Sequence, residues 1–556
     1  MDNRRHYLCD NHIHSRFHTI LHPRPRHPLI HPQIHQPEKI RKMAAETRTQ
    51  KSILNAKVSS LCYFLGLAVS FFTRKIFIEY LGLEFVGLTS TLQSLLGFLN
   101  LAELGISSAI AFVLYKPLFE KDHDKIGEIV SVLGYLYRCI GIFILSSGII
   151  LSFFIPLIFD ETSFSLGVIY IGYYAFLLSS LYAYFFNYKL NLLSADQKNY
   201  VVIGYFKIVV ASKCVIQMLL AIYFKSFILF FAMELLSGLV NAIILNRKIK
   251  RTYPWLNSNV KFGRKLFAKY PEIGKNIKWL FVHKLGSFIQ FQITPFLIFT
   301  FASLPVVGLY GNYTLINDNI RTFVGGVLDS TAAGIGNLIS ENNQEKILRS
   351  YKELFSVRFL AAGILASCLY MLSSPFVSVW LGVGFVLSDV VVILLCIQFF
   401  LVILRGTTDQ FINGYGLFYD IWAPISEAGL LVVISVIFGS IYGLPGVLFG
   451  PIVASIIFVH IWKPYFLFSK GFKIPIWRYI KLFSSNLITF ALAFIFAMIG
   501  YNSIGRYIAI ENDWIQWIVN AVIFTIVISI ITLILFYTFV PGIKSFAHRF
   551  FCKNKA

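Results

Sequence analysis

From residue 53 to residue 542 the chain alternates long apolar blocks with short polar ones. Residues 139–159 carry no charged side chain, nor do 482–505 or 514–543, and in 428–462 only His460 could carry a charge near neutral pH. A helix of roughly 20 such residues crosses a hydrocarbon core of about 30 Å. A transmembrane barrel would instead show short alternating segments. The pattern predicts fourteen helical spans: 53–78, 86–114, 127–158, 165–193, 201–223, 226–246, 277–302, 306–338, 347–378, 388–417, 421–440, 444–468, 479–505 and 514–542. The expected fold is all-α, a polytopic integral membrane protein. Several spans exceed the minimum length, so tilt or extension into the headgroups is expected.

One stretch organises the rest. Residues 86–126 read as a long apolar helix carrying Glu103 and Gly105, followed by a charged turn. Residues 307–347 echo it at an offset of 221 without a gap: Val86-Gly87-Leu88 falls on Val307-Gly308-Leu309, Gly105 on Gly326, Glu120 on Glu341, and Lys125-Ile126 on Lys346-Ile347. Two halves built from the same run of helices are expected, as in many transporters that frame a site between repeats.

The polar connections supply orientation. Residues 247–278 hold ten Lys or Arg against the single acid Glu272, and further bases cluster after spans twelve and fourteen. The alternate connections are short and lean acidic, with Glu79, Glu84, Asp160, Glu161, Glu511 and Asp513. Basic connections stay on the cytoplasmic side, so both termini are expected there, which an even number of spans requires. The expected organisation is an N-terminal extension (1–50), an N-lobe of spans one to six (51–248), a basic linker (249–276), and a C-lobe of spans seven to twelve (277–470). Two further spans and a basic tail (471–556) complete it. With Trp255, Phe262, Phe267 and Tyr270 among its lysines, the linker reads as an amphipathic segment on the anionic inner leaflet.

Residues 1–42 hold eight of the twelve histidines and repeated prolines at irregular spacing. They read as a disordered extension, or as sequence upstream of a start at Met43, in preference to a metal-binding tail. No cleavable signal-peptide pattern precedes the first span.

Composition agrees with the pattern: 57% of residues are hydrophobic and 14% charged, which excludes a soluble globular protein. The net charge of +22 would suggest nucleic acid in a soluble chain. Here the placement of the bases assigns it to cytoplasmic retention, and no nucleic-acid partner is expected. The seven cysteines are scattered singly without a CxxC pair, so neither a disulfide framework nor a metal site is expected.

Ionisable residues inside spans are costly unless paired or facing water, so they mark candidate function. They include Arg74, Glu103, Arg138, Lys284, Asp318, Arg321, Asp329, Arg358, Arg405 and Asp409. Asp318 with Arg321 and Arg405 with Asp409 lie at helical spacing and have a self-neutralising reading. Bases outnumber acids, as a cavity for an anionic ligand requires, and phosphate or pyrophosphate suits multiple Lys and Arg donors. Arg321 is the first candidate contact, followed by Lys284 and Arg74, with Arg138, Arg358 and Arg405 behind them. Glycines at 325, 326, 334 and 336 suit a span that bends near Arg321. No HExxH, Walker or strand–helix GxGxxG motif is present, so neither catalysis nor a cofactor is expected.

The segment ELGISSAIAFVLYKPL (103–118), the segment GTTDQFINGYGLFYDIWAPISEAGLLVVISVIFGSIYGLPGVLFGPIVASII (406–457), and fourteen spans in two related halves plus two together resemble the bacterial polysaccharide exporters. These are the O-antigen and capsule flippases of the multidrug/oligosaccharidyl-lipid/polysaccharide superfamily. The resemblance covers residues 50–545. It implies two lobes around a cationic cavity in the bacterial inner membrane. The implied substrate is an undecaprenyl-pyrophosphate-linked glycan, with membrane lipids and the polymerase and glycosyltransferases of the same pathway as partners. In the related peptidoglycan-precursor flippases, arginines on spans one, two and eight line the cavity. Arg74 and Arg321 match spans one and eight, whereas span two carries Glu103 here. The related drug exporters couple to sodium or protons through acids, which makes Glu103, Asp329 and Asp409 the coupling candidates. A cation-coupled multidrug exporter and a membrane glycosyltransferase or polymerase are the alternatives. Acids would dominate mid-membrane in the first, and a large outer loop would be needed in the second.

Overall fold

The computed structural model describes residues 48–552 apart from 104–105, 161, 197, 418–419 and 506–509; for several helical residues, Lys284 among them, it describes the backbone alone. The N-terminal extension with its histidines lies outside the described residues. Among the described residues every regular element is helical. This follows from the apolar blocks, because in lipid a backbone must satisfy its own polar groups, which a helix does within one segment.

Spans one to six are Arg48–Leu81, Leu83–Leu99 continued by Ile106–Glu120, His123–Ser152, Leu166–Phe185, Asn199–Phe224 and Phe227–Thr252. Spans seven to twelve are Pro271–Phe301, Leu304–Asp329 continued by Ala332–Ser340, Gln344–Leu381, Asp389–Gly414, Trp422–Tyr442, and a run of turns from Leu444 to Phe472. Spans thirteen and fourteen, Trp477–Gly505 and Asp513–Phe539, pack on each other and on span nine. A last helix, Pro541–Cys552, follows.

Among the described residues, eleven helices are long and apolar enough to cross a membrane. The expected spans outside that set are two, seven and eight. These three contact one another across the lobes, span two packing on both seven and eight. Spans two and eight, both interrupted, thus meet each other across the halves.

The repeat is visible in the backbone. Spans two and eight begin at Leu83 and Leu304, the same offset of 221 that relates the sequences. The turns that follow have left-handed residues at equivalent places, Lys121 (φ 56°) and Asn342 (φ 54°). Next, Asp122 and Asn343 cap the following helices, each accepting a hydrogen bond from the backbone of the third residue on, Lys125 or Lys346, at 3.0 Å. The contact between the halves is reciprocal. A Cβ on Gly87 would lie 1.9 Å from the Leu304 carbonyl oxygen, and one on Gly308 2.8 Å from that of Leu83. Glycine at both places lets the helices approach backbone to backbone.

One expectation is corrected. Span two is not one continuous helix: a tight 3-10 turn at Asn100–Glu103 interrupts it. There the Glu103 carboxylate accepts hydroxyls from Ser107, Tyr137 and Tyr184, ties that hold it against spans three and four. Span eight breaks at Ser330-Thr331, within the glycine-rich stretch expected to bend. The Ser330 and Thr331 hydroxyls donate to the carbonyls of Val327 and Leu328, competing with the helical ladder.

The basic linker is also more than a surface segment. Gly127, Ser131 and Gly134 line one face of span three at helical spacing. A Cβ on Gly127 would fall 2.4 Å from the Asn257 carbonyl oxygen, and one on Gly134 2.7 Å from Val260. The Asn259 backbone donates to Ser131 Oγ at 2.9 Å, and Lys269 pairs with Glu128 at 2.7 Å. Small residues on span three therefore make a seat for residues 257–263, while Phe262 stays exposed.

Candidate functional site

Span eight carries Arg321 about two thirds of the way along its first helix, past the depth from which a side chain reaches either end. Its guanidinium pairs with Asp318 Oδ1 one turn back at 3.2 Å, and both side chains keep accessible surface, 27% and 59%. They line a cavity of about 140 Å³ among spans seven, eight and ten, with Tyr310, Thr314, Asn317 and Gln398. The expected i,i+3 pair is thus present, and it opens into a recess closed on its other side by Pro295, Leu395, Phe399 and Val402.

Arg74 reaches span eight from the other side. Its Nε donates to Asn312 Oδ1 and its NH2 to the Gly308 carbonyl, both at 2.7 Å. The Tyr63 hydroxyl donates to the Asn319 carbonyl further along. Span one therefore runs antiparallel to span eight. Gly311 is open to the guanidinium, since a Cβ there would lie 2.4 Å from NH2. Asn312 and Arg321 are nine residues apart, about two and a half helical turns. They face opposite sides of span eight, so Arg74 and Arg321 do not share one site.

Arg358 and Arg405, two further candidate bases of the C-lobe, are each held by an acid. Arg358 is 4% exposed. It pairs with Asp329 at 2.9 Å and donates to the Ile403 carbonyl, and Gly406 leaves it room. Gln410 donates to the same Asp329 oxygen at 3.1 Å, so the carboxylate at the end of span eight's first helix ties to spans nine and ten. Arg405 pairs with Asp409 at 2.9 Å, and Lys463 takes the other Asp409 oxygen at 2.6 Å. Lys463 arrives from span twelve between two stretches where the helix widens to i→i+5 turns.

In the N-lobe, Glu103 sits at the break of span two. Tyr137 donates to its Oε1 at 2.7 Å, Tyr184 to its Oε2 at 2.8 Å, and Asn191 donates to the Tyr137 hydroxyl at 3.1 Å. The carboxylate is satisfied by neutral hydroxyls, and among the described residues no base donates to it. Arg138 is exposed on span three. Lys284 belongs to span seven, and its side chain lies outside the described residues.

The bases pooled by sequence as one cationic cavity are thus distributed. Arg321 lines a recess, Arg74 stitches spans one and eight, and Arg358 and Arg405 are locked to carboxylates. Sequence reasoning passed over Tyr137, Tyr184, Asn312, Gln410 and Lys463. For Tyr137 the offset of 221 held a signal, because it falls on Arg358, which ties Asp329, whereas Tyr184 falls on Arg405, which pairs with Asp409. Each lobe thus ties the acid at its broken span with side chains from repeat-equivalent spans.

No family model matches the chain, and no curated protein sequence matches it. Solved structures do. One is "Lipid II flippase MurJ, inward closed conformation", with a TM-score of 0.59 and 16% identity, covering 87% of this chain and 99% of that one. Another is an inward-facing multidrug-resistance MATE transporter of the MOP superfamily, with a TM-score of 0.55 and 15% identity, covering 74% of this chain and 97% of that one. The first is named a flippase and the second a transporter. This chain is a multi-pass membrane protein with the fold they share.

Proposed function

We propose that this protein turns oligosaccharide repeat units on undecaprenyl pyrophosphate from the cytoplasmic to the periplasmic leaflet of a bacterial inner membrane. It does so by alternating access of two lobes, for O-antigen, capsule or exopolysaccharide assembly. The observation that carries this reading is Arg321: an accessible guanidinium opening into a recess along span eight that mixes polar and apolar side chains. A planar donor fork suits a diphosphate. A recess of about 140 Å³ is on the scale of that headgroup and not of a glycan, so the lobes must part to admit the sugars. Under this reading both termini are cytoplasmic, and the polymerase and glycosyltransferases of the pathway are the functional partners.

The test is delivery of the lipid-linked glycan to the periplasm in cells lacking their own flippase, normalised to protein in the membrane. Arg321→Ala should insert near normally and lose at least about tenfold in delivery, the scale of one lost charge-assisted contact. Arg321→Lys should retain part of it. The double variant Asp318→Asn/Arg321→Gln should stay folded and inactive. Full delivery by the double variant overturns the assignment.

A second reading, cation-coupled multidrug export, is favoured by one observation. Glu103 is a carboxylate ringed by hydroxyls inside a lobe, a setting that suits a proton or sodium ion taken up and released. Drug efflux abolished by Glu103→Gln but indifferent to Arg321→Ala would select it.

A further inference from the structure

The C-terminal helix, Pro541–Cys552, lies where span nine begins and span fourteen ends. It is pinned there at close range. A Cβ on Gly542 would fall 2.7 Å from the Lys352 carbonyl oxygen, so only glycine fits against span nine. Ser545 donates to Glu353 Oε1 at 2.6 Å, and Arg549 pairs with Glu353 Oε2 at 2.7 Å. Glu353 is buried, and both its oxygens are used to hold the helix.

That anchoring leaves two adjoining spaces. One is a cleft of about 450 Å³ bordered by Arg349, Lys544, His548 and Arg549, with Glu353 as its acid. Glu353 is already committed to Arg549, and among the described residues neither Arg349 nor Lys544 is in an ion pair. The other is a groove of about 830 Å³ between spans nine and fourteen and the C-terminal helix, walled by Leu360, Leu533, Ile534, Tyr537 and Phe546. Leu533, Ile534 and Tyr537 are each at least half exposed. His548 borders both spaces. A basic cleft thus continues into an apolar groove along a lipid-facing span.

We propose that this is a binding site for an anionic glycerophospholipid, its phosphate held by Arg349 and Lys544 and its acyl chain laid along span fourteen. Neither space alone specifies such a ligand; an anionic head joined to an apolar tail is what the pair requires. The helix is amphipathic in the same sense, with Ile543, Phe546 and Ala547 toward the groove and Lys544 and Arg549 at the cleft. The site is separate from the Arg321 recess and does not depend on the proposed transport reaction.

The experiment uses the full chain, purified in detergent and stripped of lipid. Binding of phosphatidylglycerol and of phosphatidylcholine with identical chains is compared by native mass spectrometry, with free glycerol 3-phosphate as a competitor. Phosphatidylglycerol should bind more tightly by roughly thirtyfold, the worth of two interfacial bases. Arg349→Gln/Lys544→Gln should remove that difference, and glycerol 3-phosphate should not compete at equal concentration. Equal binding of the two lipids, or an unchanged preference in the double variant, overturns the proposal. Effective competition by glycerol 3-phosphate would make this a phosphate site without lipid and also overturns it. Should the variant fail to fold, a phosphatidylglycerol with a photoreactive chain decides on the wild type. Crosslinks within 533–549 support the site, and crosslinks confined elsewhere refute it.

Discussion

At the scale of single residues, charges along the spans divide by what removing a partner leaves behind. Arg358 is buried while its partner Asp329 is 59% exposed, so the two sides of the pair are not equivalent. Asp329→Ala strands a buried guanidinium and should cost about 2–3 kcal/mol, below the 3–5 of a fully enclosed pair because water reaches one partner. Arg358→Met/Asp329→Ala should recover most of the loss. Thermal unfolding in detergent reads both, and an unaltered midpoint for Asp329→Ala would remove the pair from the stability of the C-lobe. The same contrast explains what could be read in advance. Asp318 with Arg321 and Arg405 with Asp409 were legible because i,i+3 and i,i+4 neighbours share a helix face. Arg74 and Gly308 stand 234 positions apart, and Tyr184 and Glu103 stand 81 apart. No local period reports such a meeting, so the sequence does not show which of these charges lie side by side.

Elements show the opposite balance. Apolar blocks located nearly every span, because crossing length and internal hydrogen bonding leave a helix little freedom. What the blocks could not show was the interruption of span two, where Glu103 accepts hydroxyls from spans three and four, whereas the glycines of 325–336 already marked the bend of span eight. Repeat-equivalent details should behave alike. Asp122→Ala and Asn343→Ala each remove one helix cap and should each cost about 1 kcal/mol. Gly87→Ala and Gly308→Ala should both weaken the contact of spans two and eight. The first should do more harm, on the order of 2–3 kcal/mol, because it meets only backbone, whereas Gly308 faces the movable end of Leu83 as well. Equal midpoints for Gly87→Ala and wild type would contradict the close approach.

For the molecule as a whole, orientation is the property the distribution of bases predicts most directly. In a cysteine-free background, Lys265→Cys and Ser163→Cys occupy exposed positions on opposite ends of the bundle. An impermeant thiol reagent on intact spheroplasts should label position 163 and spare position 265. The reverse pattern would invert the protein. Six spans per half also mean that both halves enter the membrane from the same side, so the axis relating them stands along the membrane normal. The mutual seating of Gly87 against Leu304 and of Gly308 against Leu83 is the contact of a two-fold pair, one surface meeting its own copy. A polypeptide of half this length would carry both sides of that contact. It would need no second kind of subunit to assemble, and spans one to twelve can be described as two such halves joined in one chain, with spans thirteen and fourteen added.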